Sequence, residues 1–64
     1  MRKYLIKIKL IDGYYYAYLA DNFIVVDSKL EIIIDKSVIS YDFNLIGSLS
    51  IINQEEDKWL QSLL

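Results

Sequence analysis

At 64 residues the chain reads as one small domain, spanning residues 1–64. A domain of that size buries only about 60% of its unfolded surface, and without Cys or His this one lacks disulfides and most zinc geometries as staples. The formal charge of −2 is too small to define a class of partner, whereas an apolar content of 55% exceeds the usual ~45–50% and points to a very apolar core, to oligomerisation, or to both.

The start of the chain alternates. Tyr4, Ile6, Ile8 and Leu10 fall on one face, and Lys3, Leu5, Lys7, Lys9 and Ile11 on the other. Asp12-Gly13 follows, the favoured pair for a two-residue type I′ hairpin turn. Tyr14 to Ala20 reads as the return strand, completing a hairpin over residues 3–20. In that register Ile11 faces Tyr14, Lys9 faces Tyr16 and Lys7 faces Tyr18. One face then collects Tyr4, Ile6, Ile8, Leu10, Tyr15, Ala17 and Leu19. The other collects Lys7, Lys9, Tyr14, Tyr16 and Tyr18.

Asp21-Asn22 is a second candidate two-residue turn, since both residue types tolerate positive φ. Further strands are expected over about 23–26, 30–34, 38–43 and 45–52. Asp27-Ser28-Lys29 and Asp35-Lys36-Ser37 are the turns between them, Asn44 marks a bend, and Gly47 is a bulge or close-contact position. Asp12, Asp21, Asp27 and Asp35 all sit at proposed turns, so they read as turn formers and not as a site. Strand 23–26 is apolar on both faces and needs cover on both. The period changes after Asn53, a good N-cap with Glu56 three residues on. A helix over about 54–63 is expected, with Trp59, Leu60 and Leu63 as its apolar stripe. The fold class that follows is mostly β: a small antiparallel barrel or curled meander sheet of five to six short strands with one C-terminal helix.

The absence of His, Cys and Thr removes the usual general base and the thiol nucleophile. With only two glycines there is no phosphate-cradling loop. The expectation is a non-enzymatic protein with no catalytic residues, no cofactor and no metal. Glu55-Glu56-Asp57 reads as a solvated helix start. Met-Arg-Lys-Tyr-Leu-Ile imitates a signal peptide only until Lys7 and Lys9 break it, and no uncharged run approaches the ~18 residues of a bilayer span. The chain is therefore read as cytoplasmic, with no membrane partner. Eleven Ile and six Tyr against two Ala and no Pro suit AT-rich coding, as in a bacteriophage, an archaeal virus or a low-GC bacterium.

One constellation stands out: Lys7, Lys9, Tyr14, Tyr16 and Tyr18 as a partner-binding face. Tyr offers large area with a polar tip and is enriched at interface hot spots. The leading expectation is a small protein-binding module, a stoichiometric inhibitor or regulator, such as a phage or viral protein that blocks a host defence factor. The first alternative is a single-stranded nucleic-acid binder in which the Tyr rings stack bases and the Lys side chains track phosphates. The second is a structural, self-assembling subunit. A homo-oligomer, most simply a dimer, is expected from the apolar excess.

Overall fold

The computed structural model describes residues 3–54. Six strands follow one another: β1 (Tyr4–Leu10), β2 (Tyr15–Ala20), β3 (Asn22–Val26), β4 (Lys29–Ile34), β5 (Ser37–Asp42) and β6 (Ile46–Asn53). A 3₁₀ turn, Phe43–Leu45, joins the last two at the bend expected around Asn44. The strands form two antiparallel three-stranded sheets, ordered β2-β1-β6 (sheet A) and β3-β4-β5 (sheet B). The protein is thus mostly β, as the alternating pattern requires, but the sheets do not close into a barrel. The helix expected over about 54–63, with Trp59, Leu60 and Leu63, lies outside the described residues apart from Gln54.

The core is the slot between the sheets. Ile6 and Ile8 from β1 and Leu30 and Ile32 from β4 are completely buried, with Ala20 beside them. Each of the four large side chains contributes roughly 1.5–3 kcal/mol through burial. Both central strands thus place β-branched or Leu side chains inward at every second position.

The first turn corrects the expected register. Gly13 N–H donates to Leu10 O at 3.0 Å and Leu10 N–H donates to Tyr14 O at 2.8 Å. The loop is therefore Ile11-Asp12-Gly13, three residues long, with Gly13 at φ +99° in the left-handed region. One added loop residue slips the pairing by one. Ile8 faces Tyr16, Ile6 faces Tyr18 and Tyr4 faces Ala20, while Lys9 faces Tyr15 and Lys7 faces Ala17. Because side chains alternate, that slip exchanges the two faces of β2.

Asp21-Asn22, by contrast, is not a hairpin turn. β2 and β3 belong to different sheets, and Asp21 is the corner between them. Its N–H donates to Ile33 O at 2.9 Å, and its Oδ2 accepts from Asp35 N–H at 2.6 Å. The corner is thereby tied to the β4–β5 turn.

The remaining turns fall at the expected places, but the two expected as three residues have two, because Lys29 and Ser37 already belong to β4 and β5. Asp27 and Ser28 have φ of 51° and 60° between Val26 and Lys29, which are paired across the strands. Positive φ at both central residues is the type I′ signature. Asp35 takes φ 55° in the two-residue turn before Ser37. Gly47 is the extra residue of a bulge, since the β1–β6 pairing steps from Lys9–Ser48 to Leu10–Ile46. A Cβ there would stand 3.3 Å from the Lys9 carbonyl oxygen, so a larger residue would push the two backbones apart by a few tenths of an ångström.

Candidate functional site

The five residues singled out from the sequence do not form one face. Lys7 and Lys9 point to the outer side of sheet A with Leu5, Tyr15, Ala17 and Leu19. Tyr16 and Tyr18 point inward, opposite the buried Ile8 and Ile6. Tyr14 precedes β2, is 65% exposed, and donates its N–H to Asp12 Oδ1 at 3.1 Å. The expected segregation of Lys with Tyr is thus undone by the register slip, and its physical cause is the three-residue loop.

The inward tyrosines meet a third ring that sequence reasoning did not connect to them. Tyr41 of β5 lies 6.0 Å from Tyr16 and 6.2 Å from Tyr18, ring centroid to centroid, and Tyr16 stacks on Tyr18 at 6.4 Å. The Tyr18 and Tyr41 hydroxyls share a hydrogen bond across the two sheets. Burial holds the Tyr41 phenol well above its ordinary pKa of 10.0. The Tyr18 hydrogen bond and the negative charge that Tyr18 and Tyr16 would carry when ionised add to the shift. Tyr18 and Tyr41 pack against the core and pair their polar tips, while Tyr16, 39% exposed, extends the ring cluster outward from them. Tyr4 and Phe23 make a further inter-sheet contact, edge to face at 5.1 Å.

The surfaces that remain are two outer sheet faces and the sheet edges. β3 is an edge strand whose sequence, Asn-Phe-Ile-Val-Val, carries no charge. Ile24, Val25 and Val26 are 45%, 58% and 42% exposed. Native edge strands are usually blunted by Lys, Pro or a bulge, and β3 has none of these. The charges are also sorted by sheet. From Asp21 to Asp42 there are five carboxylates and two Lys, net −3. The described part of sheet A and its hairpin loop holds Lys3, Lys7 and Lys9 against Asp12, net +2.

Comparison with family models, with curated proteins and with solved structures gives no match. The site therefore rests on its own chemistry. Among the described residues no group of three or more carboxylates could hold a metal ion, and no helix is long and apolar enough to cross a membrane. The depression at the hairpin loop is lined by Asp12, Gly13 and Tyr14, with one carboxylate already bonded to backbone. The Asp residues at the turns act there structurally. Asp12, Asp21 and Asp42 accept backbone N–H groups, and Asp27 and Asp35 supply positive φ. The signal that marks β3 was present in the sequence as a strand apolar on both sides. Its place at an edge was not.

Proposed function

We propose that the protein is a binding module that takes an extended segment of a partner protein onto the β3 edge of sheet B. The observation that carries this reading is an uncharged, unblunted edge strand with three consecutive exposed apolar side chains. An added strand draws affinity from main-chain hydrogen bonds and specificity from alternate side chains. Here those side chains would meet Phe23 and Val25 on one face of the sheet and Ile24 and Val26 on the other. Asp21 and Asp27 bracket the strand, and Glu31 lies opposite Ile24 on β4. With sheet B at −3, a cationic segment is the occupant that the field favours. Such a protein acts by occupying its partner's surface one to one.

The test is Val25→Lys, which places a cation at an exposed position of the edge. Proteins retained by the immobilised wild type should be lost from the variant, with a penalty of about 2 kcal/mol or more, while the melting temperature holds. Retention of the same proteins by a folded Val25→Lys variant would refute the reading. Loss of retention instead in Lys7→Glu with Lys9→Glu, together with loss of binding to single-stranded DNA at low salt, would favour a nucleic-acid partner on sheet A. Light scattering on the free protein separates a foreign segment from a second copy on the same edge.

A further inference from the structure

The charges of sheet A form a single file. Lys7 and Lys9 lie on the outer face of β1, and Lys3 precedes the strand in the same alternation. At ~3.3 Å per residue the file is about 20 Å long. The flanking strands add no charge: β2 reads Tyr-Tyr-Ala-Tyr-Leu-Ala and β6 reads Ile-Gly-Ser-Leu-Ser-Ile-Ile-Asn. No strand of this sheet contains a carboxylate. The face therefore attracts anions although the whole chain carries −2. The register sets what surrounds each cation. Lys9 stands between Tyr15 of β2 and Ser48 of β6, and Lys7 stands between Ala17 and Ser50. Tyr15 is 60% exposed and is the one aromatic side chain that the three strands place on this face. Ser48 and Ser50 are exposed, and a hydroxyl can donate to an anion.

We infer that the outer face of sheet A binds single-stranded nucleic acid, with Lys3, Lys7 and Lys9 along the phosphates, Ser48 and Ser50 donating to phosphate oxygens, and Tyr15 stacked on a base. Charge complementarity selects a polyanion, and the single file selects a linear one. A duplex carries two phosphate strands separated by grooves about 6 and 12 Å wide. With no cation on β2 or β6, this face can follow one of those strands and not the other. The bases of a duplex are also stacked on each other, whereas an unpaired base offers Tyr15 a free π-face. A lipid surface spreads its anions in two dimensions and offers no ring to stack. The inference stands apart from the β3 edge, which belongs to the other sheet.

The probe is a fluorescein-labelled oligothymidylate titrated with the full chain and read by anisotropy. Each phosphate neutralised on a single strand adds about −0.7 to the slope of log affinity against log salt, so three Lys give a slope near about −2. Lys7→Gln and Lys9→Gln should each move that slope toward zero by about 0.7. Lys29→Gln, on the outer face of sheet B, should leave it unchanged. Tyr15→Ala should weaken binding at least about fivefold, the low end for one stacked base, and leave the slope in place. Tyr15→Phe should bind as the wild type does. None of these four side chains belongs to the buried core, so the variants should melt with the wild type. Absence of binding at low salt overturns the inference, and so does a slope that Lys29→Gln reduces as much as Lys7→Gln does. A Tyr15→Ala variant that binds as tightly as wild type overturns it as well. Equal affinity for polyglutamate, for a duplex or for phosphatidylserine vesicles overturns it in favour of a contact made by charge alone.

Discussion

Replacing Tyr41 with Phe removes one oxygen from the contact between the sheets and keeps the ring. The Tyr18 hydroxyl loses its partner across the slot, while the ring contacts at 6.0 and 6.2 Å remain available. A neutral hydrogen bond contributes about 0.5–1.5 kcal/mol net. Tyr18 is only half-buried, so its hydroxyl can turn to water and the loss should stay near about 1 kcal/mol. A domain of this length has about 3–10 kcal/mol of stability, and such a loss lowers its melting temperature by roughly 4–8 °C. The pH dependence gives a second, independent readout. The folded pKa of Tyr41 is raised, so the native state favours the neutral phenol. That contribution is fully present below the unfolded phenol value of about 10 and is lost as pH rises through the folded value. The Phe variant has nothing to ionise at this position. Thermal melts followed by circular dichroism at neutral pH and in alkaline steps should show a gap between the two proteins that narrows as pH climbs. Equal melting temperatures at neutral pH, or a gap that widens with pH, would refute the reasoning.

Two further substitutions test the frame. Ile32→Ala empties a completely buried site on the central strand of sheet B and should cost about 2–5 kcal/mol, enough to unfold much of the population in a denaturant titration. Gly13→Val should destabilise by about 1–2 kcal/mol although no atom lies within 4 Å of the added Cβ, because the penalty is the left-handed backbone at φ +99°. Gly13→Asn should recover much of that loss, since Asn tolerates this conformation, and identical melts for Val and Asn would show that the loop relaxes to negative φ.

All six strands were legible from alternation and turn residues, to within a residue or two at each end. The register of the first hairpin was not. Asp-Gly serves a two-residue type I′ turn and equally the end of a three-residue loop, and the local pattern of β2 decides weakly because Tyr occupies positions 14, 15, 16 and 18. Hydropathy favoured Ala17 and Leu19 as the inward pair. The structure turns Tyr16 and Tyr18 inward instead, because Tyr41 contacts both rings and gives the Tyr18 hydroxyl a partner. That partner comes from 23 residues away and leaves no trace in a local window. The candidate site inherited this error, since Lys7 and Lys9 belonged with Tyr15 and not with Tyr16 and Tyr18. The division into two sheets was hidden for a similar reason. Asp21-Asn22 has turn composition, and only the long-range bonds from Asp21 to Ile33 and Asp35 make it a corner.

The strand order has a temporal side. Sheet B is a meander contained between Asn22 and Asp42, each strand pairing with the next. Sheet A is finished only when its first strand meets its last, with Tyr4 facing Asn53. On a ribosome, where chains emerge at about 5–20 residues per second, β1 and β2 appear first but β1 waits for β6 through the synthesis of everything between. During that interval the side of β1 that carries no partner yet, with Ile6 and Ile8 beside it, is an open sheet edge on a nascent chain. Closing so long a loop also slows refolding of the intact protein. A ribosome stalled before Ile46 emerges should hold a chain with sheet B formed and β1 paired on one side, the species of this protein most prone to pair with a neighbour.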